Sequence, residues 1–285
     1  KNLTIDGLAN LSDFVRQNSC TVCFDTSNSW VILSPIEQSI KHKIESIGTP
    51  LKDWDINIYR GILTGYNEAF IISTEIRNEI LANCQTEDER LRTAELIRPI
   101  LRGRDIKKYG YDWAGLWLIN SHNGIKEKNI PRVDINEYPA VKQHLDKHWD
   151  KLEKRADKGD TPYNLRNCAY MDDFNKPKVC WNRIAAEKQF ALVDEGIFIQ
   201  DSMHFIVGAN LEYLASVLNS KLIQWLLALI IGDAAGGNAG NADNVLNLCI
   251  PYSKINEKIS DEEIYRIYNL TNEEIKYINS FITSK

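Results

Sequence analysis

The chain has 285 residues, 44% of them hydrophobic and 26% charged, with 34 basic side chains against 39 acidic ones. A chain of this length buries roughly three-quarters of its unfolded surface, so folding requires neither disulfides nor a metal. The composition excludes disorder, a collagen repeat and a coiled-coil rod. The net charge of −5 excludes a uniformly basic nucleic-acid binder but permits a local basic patch.

The chain opens on Lys1, and residues 1–15 lack the basic-then-apolar order of a signal peptide, which predicts a piece of a longer polypeptide. Cys20 and Cys23 have C-x-x-C spacing, but no second pair answers them and CTVCF alternates as a strand does. The cysteines have no framework spacing, which predicts reduced thiols and a cytoplasmic location. Ser34, Pro35 and Glu37 announce a helix over 34–48, striped by Ile36, Ile40, Ile44 and Ile47 and stopped by Gly48. Residues 56–72 read as strand, turn, strand around Gly61 and Gly65. Thr86 and Glu89 open a further helix that must end before Pro99.

The segment 116–119 (LWLI) reads as a buried strand, with a turn at His122-Asn123-Gly124. A long surface helix is expected from Asn136 to Lys158, with Val141, Leu145, Trp149 and Leu152 inward. Strands follow at about 178–184, 190–193 and 197–207, the last two joined by a hairpin turn at Asp194-Glu195-Gly196. Leu211 to Ile231 reads as one apolar helix whose longest apolar run is too short for a membrane span of about 20 residues. A Gly/Asn/Ala loop covers 232–244, and two short helices capped at Ser260 and Thr271 close the chain. These elements predict a mixed α/β (α+β) fold: a central mixed β-sheet with flanking helices and a small C-terminal helical tail.

Catalytic signatures are absent. The sequence holds no G-x-S-x-G elbow, no P-loop, no G-x-G-x-x-G after a strand and no Asn-Pro-Pro-Tyr loop for a flipped base. His144 and His148 stand one helical turn apart, but Leu145 occupies the position where a zinc protease needs Glu, so a solvated helix face is expected. Glu274-Ile-Lys276 is too little to argue a nuclease. No catalytic, metal or cofactor site is predicted in this segment.

Positive charge is concentrated instead. Between Arg90 and Lys108 lie seven basic residues, among them Arg98, Arg102 and Arg104, against only Glu95 and Asp105. Lys and Arg neutralise phosphates, and Arg also grips guanine bidentately. The competing expectation is that Arg98 and Arg102 cap carbonyls while Asp105 pairs with Arg104; charge alone leaves both open. A second cluster, Lys176, Lys178, Arg183 and Lys188 around Trp181, reads either as basic surface or as a core strand with alternating exposed residues.

Four segments together resemble one family. YRGILTGYNEAFII (59–72), LIRPILRGRDIKKYG (96–110), LRNCAYMDDFNKPKVCWNRIA (165–185) and YLASVLNSKLIQWLL (213–227) are similar to the TaqI-like C-terminal specificity domain, in its order. That domain is found in type IIG restriction-modification enzymes and in related phage-defence adenine methyltransferases. The resemblance implies a target-recognition domain at 55–252 that binds double-stranded DNA, with 1–54 as a lead-in from a methyltransferase domain of the same polypeptide and 253–285 as a helical tail. S-adenosylmethionine, and Mg²⁺ where a nuclease is fused, would bind outside this segment. It further implies that Arg60, Thr64, Asn67, Arg98, Arg102 and Arg104 approach the DNA, with Lys178 and Arg183 as second candidates. Gly61, Gly65 and Gly103 are expected to shape turns, and Asn219 and Ser220 to cap or pack.

Overall fold

The computed structural model describes residues 33–184, 188–231 and 242–283. The C-x-x-C segment and most of the Gly/Asn/Ala loop lie outside them. Helix α1 (Pro35–Ile47) forms where its start and stop signals stand, with Ile40 and Ile44 buried. The Glu37 carboxylate reaches back to accept from the Ser34 amide at 2.6 Å. Strand β1 (Thr49–Pro50) follows at once. A Cβ at Gly48 would lie 2.3 Å from the Cys249 carbonyl, so glycine permits this backbone approach.

Strand β2 (Ile56–Arg60) leads through a loop into a single helical turn, α2 (Asn67–Phe70), and then β3 (Ile71–Ser73). The expected strand-turn-strand thus contains a helix too short for periodicity to reveal. Helices α3 (Thr74–Ala82) and α4 (Glu87–Leu96) follow, with the Thr86 hydroxyl accepting from the Glu89 amide at 3.1 Å as its capping box predicts. Strands β4 (Ile97–Leu101), β5 (Ile106–Lys107), β6 (Gly110–Tyr111) and β7 (Leu116–Ile119) come next.

The long helix expected over 136–158 is two short ones, α5 (Pro139–Asp146) and α6 (Trp149–Leu152). The chain then leaves helical geometry, and Arg155 turns inward to serve backbone carbonyls. His144 is not on a solvated face: it is buried, its Nε2 lies 3.1 Å from the Ala69 carbonyl, and burial lowers its pKa. Leu145 does face the core, as expected.

Strands β8 (Lys178–Asn182), β9 (Ala191–Val193), β10 (Phe198–Ile199) and β11 (Met203–Gly208) complete the sheets. Asp194-Glu195-Gly196 is a turn, with Gly196 at φ +75°, but it does not close a hairpin. Strand β9 pairs antiparallel with β8, whereas β10 pairs parallel with β4. The turn therefore passes the chain from one sheet to another, a long-range choice that local turn chemistry does not encode.

The apolar helix divides into α7 (Leu211–Leu218) and α8 (Lys221–Ile231). Asn219 stops the first by donating to the Phe190 carbonyl at 2.7 Å and accepting from the Phe190 amide at 3.1 Å. Ser220 starts the second by accepting from the Ile223 amide at 3.2 Å. Both residues cap and pack, as expected. Helix α9 (Ala242–Leu246), strand β12 (Cys249–Ile250, paired with β1) and helices α10 (Asp261–Ile267) and α11 (Asn272–Thr283) close the chain.

The mixed α/β class is borne out, with two principal sheets. One, ordered β10-β4-β7-β3, is mixed; the other, β2-β11-β8-β9, is antiparallel throughout. The antiparallel sheet separates two cores. Val179, Trp181 and Ile206 face α1, α7, α8 and the tail helices, while Cys180, Phe205 and Val207 face the core shared with the mixed sheet. Because both faces are covered, β8 reads as a continuous buried run rather than an alternation. Helix α1 is joined to the tail by Lys43 and Glu274 at 2.7 Å and by Tyr277 donating to Glu37 at 2.7 Å.

Candidate nucleic-acid interface

The loops at one end of both sheets enclose an open groove of about 730 Å³. Asn67 and Glu68 from α2, Ile71 from β3, Arg102, Gly103 and Arg104 after β4, and Leu116 of β7 line one part. Asn182, Arg183 and Ile184 at the end of β8, with Gln200 and Ser202 before β11, line the other. Three arginines against one carboxylate give the groove a positive character suited to an anionic polymer.

The groove is built on tight backbone contacts. The Ile62 amide donates to the Ile199 carbonyl at 2.8 Å, the Gln200 amide to the Leu101 carbonyl at 2.9 Å, and the Asp201 amide to the Ile62 carbonyl at 3.0 Å. These bonds weld the loop after β2, the end of β4 and the 199–203 segment into one rim. A Cβ at Gly61 would lie 2.1 Å from the Gln200 carbonyl oxygen, so glycine is required there by close approach. The adjoining loop is held from beneath by Arg155, whose guanidinium donates to the carbonyls of Thr64 and Asn164, to Asp157 at 2.9 Å and to Pro162 at 3.1 Å. The guanidinium carbon sits 4.5 Å from the Phe70 ring centroid, an electrostatic partner beside the nearby Asp157 carboxylate. Burial pushes this guanidinium down to about 10, leaving it charged at neutral pH.

Of the eight residues expected to approach DNA, the groove gathers Asn67, Arg102, Arg104 and Arg183. Arg104 is exposed, and its side chain has no hydrogen bond or ion pair among the described residues. Arg102 is held by Asp105 through Nη2–Oδ1 at 3.0 Å and Nε–Oδ2 at 3.2 Å. The ion pair therefore involves Arg102, not Arg104, reversing the assignment expected from adjacency. Asp105 also accepts from the Arg102 amide at 2.8 Å, and this three-residue closure dictates the choice. Arg183 donates to the Asp201 carbonyl at 3.4 Å.

The other four lie elsewhere. Arg60 is half-exposed and paired with Asp201 at 3.0 Å, outside the groove lining. Arg98 donates to Asn175 at 3.2 Å and to the Gly196 carbonyl at 3.4 Å, serving a turn carbonyl as the alternative expectation held. Thr64 is buried at 1% exposure, its hydroxyl donating to Asn67 Oδ1 at 2.6 Å, so it orients a groove residue rather than meeting a ligand. Lys178 is fully buried and donates to the carbonyls of Asp194 at 3.2 Å and Ile197 at 3.1 Å. Its pKa falls to about 8 because burial penalises the cation. Residues 178–182 are thus a core strand, and Lys178 and Lys188 turn inward while Lys176 stays exposed: Lys188 is also buried and likewise lowered to about 8.

Sequence reasoning missed Asn182, Gln200, Ser202 and Ile184. Only tertiary structure brings β8 and the 200–202 turn beside Arg104. Gly103 was a partial signal, because a Cβ there would lie 2.1 Å from Asn182 Oδ1, while Asn182 Nδ2 donates to the Gly103 carbonyl at 2.9 Å. Among the described residues, no group of three or more His, Cys, Asp or Glu could hold a metal, and no helix is long and apolar enough to cross a membrane.

Comparison with known protein families matches residues 98–237 to the TaqI-like C-terminal specificity domain. No curated protein matches the chain. Among solved structures, the type IIG restriction endonuclease BpuSI aligns at 16% identity and TM-score 0.47, over 82% of this chain and 27% of that one. The type IIL restriction-modification enzyme MmeI, solved in complex with DNA, aligns at 14% identity and TM-score 0.45, over 72% and 24%. The chain spans about a quarter of the length of these two proteins. Residues 98–237, which match the TaqI-like C-terminal specificity domain, supply the arginines and most of the polar side chains of the groove.

Proposed function

We propose that the chain recognises a specific sequence in double-stranded DNA, as the target-recognition part of a type IIG restriction-modification enzyme. The observation that carries this reading is the groove itself. It combines Arg102, Arg104 and Arg183 with the amides of Asn67, Asn182 and Gln200, all but Asn67 inside the segment that matches a specificity domain. Arginine charge supplies affinity for phosphate, and side-chain amides supply the paired donors and acceptors that distinguish bases. A methyltransferase domain of the same polypeptide would perform the chemistry with S-adenosylmethionine, and Mg²⁺ would be needed if a nuclease is fused. The same groove would serve a phage-exclusion adenine methyltransferase without a nuclease; an in-frame upstream Asp…Glu-x-Lys nuclease signature distinguishes the two.

Fluorescence anisotropy with a random duplex pool across a salt series tests the reading. The chain should bind with a steep negative salt slope. Arg104→Ala should weaken binding about ten-fold on all duplexes at low salt and reduce the slope by about one phosphate contact. Unchanged affinity and slope would remove Arg104 from the interface. Binding that ignores salt would overturn the DNA reading.

A further inference from the structure

The groove is chemically mixed. Among its arginines and amides stand Ile71, Leu116 and Ile184, and Ile184, just past the end of β8, is 69% exposed. Two of the amides are already oriented by neighbours. Asn67 Oδ1 accepts from Thr64, which leaves the Asn67 amide hydrogens as donors to the groove. Asn182 Nδ2 is committed to the Gly103 carbonyl, which leaves Oδ1 as the acceptor. A side chain at position 103 would cover that acceptor, since its Cβ would stand 2.1 Å from Oδ1.

An acceptor, a donor and an apolar surface form the complement of one base pair in particular. In the major groove an A·T pair offers the adenine N6 amine, the adenine N7 and thymine O4 acceptors, and the thymine C5-methyl group, while a G·C pair offers no methyl. We propose that the groove reads at least one A·T pair in the major groove, with Ile184 against the thymine methyl and Asn182 Oδ1 accepting from adenine N6. This assignment rests on the DNA-recognition reading above. The arginines flanking these residues supply the charge complementarity that selects duplex DNA as the occupant.

The test uses the 285-residue chain and the duplex it prefers from a random pool, with thymidine replaced by deoxyuridine, or adenosine by deoxynebularine, at each position in turn. Removing the contacted methyl should weaken wild-type binding about four-fold, the value of one buried apolar carbon. Ile184→Ala, an exposed substitution that leaves the cores intact, should no longer distinguish thymine from uracil at that position. Asn182→Ala should likewise lose discrimination against deoxynebularine. Preferential binding that is indifferent to uracil, or an Ile184→Ala variant that discriminates as well as wild type, overturns the inference while leaving sequence recognition standing. Absence of any duplex preference overturns both.

Discussion

Arg155→Ala should lower the stability of the chain by about 4 kcal/mol, or roughly 10 °C in Tm, the largest effect expected of any substitution around the groove. The guanidinium is buried, lies over Phe70, and donates to the carbonyls of Thr64, Asp157, Pro162 and Asn164. Truncation leaves the Thr64, Asp157 and Pro162 carbonyls without this donor, the Asn164 carbonyl keeping the Gly159 amide at 3.0 Å, and opens a void above the ring. Lysine restores the charge but has no planar fork to serve four acceptors, so Arg155→Lys should recover only part of the loss. Because Thr64 orients Asn67, the Ala variant should also weaken DNA binding at temperatures where it remains folded. Thermal unfolding followed by circular dichroism is the measurement. A loss below about 1 kcal/mol would show that water replaces the guanidinium and that the loop does not depend on it.

Lys178 should give the protein a pH-dependent stability that Lys178→Met lacks. Its folded-state pKa is about 8, below the ordinary lysine value because burial disfavours the cation. Below pH 8 both folded and unfolded states carry the proton, and the folded state bears the cost of a buried charge. Between about pH 8 and the unfolded value near 10.4 the unfolded state holds more protons, so stability rises with pH. Urea unfolding of both proteins at about pH 7 and about pH 10 should show the wild type gaining on the variant by about 2–3 kcal/mol. Lys188, also lowered to about 8, contributes the same rise to both proteins and cancels in the comparison. A difference that does not change with pH would mean that water reaches the Lys178 ammonium.

Much of the local structure was legible in the chain. The capping residues and isoleucine stripe of α1, the Thr86 start of α4, the LWLI strand and the caps at Ser260 and Thr271 all stand where short-range signals put them. Such features depend on residues within one or two turns of each other, so periodicity and hydrogen-bonding capacity decide them. The family was legible for a related reason: its four segments carry backbone requirements such as Gly61, which the structure explains by the Gln200 carbonyl lying against it.

The partners of each charge were not legible. Charge density between Arg90 and Lys108 pointed to the right loop, but three of its arginines have different fates. Arg98 serves a turn carbonyl, Arg102 is closed onto Asp105, and Arg104 alone among them is exposed without a side-chain partner among the described residues. Lys178 looked like a surface lysine because strands with one wet face alternate, yet its strand is covered on both faces. The sequence by itself determined the mixed α/β class, most element positions and the segment that holds the site. Tertiary structure alone decided which side chains reach the groove, because Asn182, Ile184 and Gln200 meet Arg104 only when the two sheets pack across their shared core, a juxtaposition of residues far apart in the chain that no local pattern encodes.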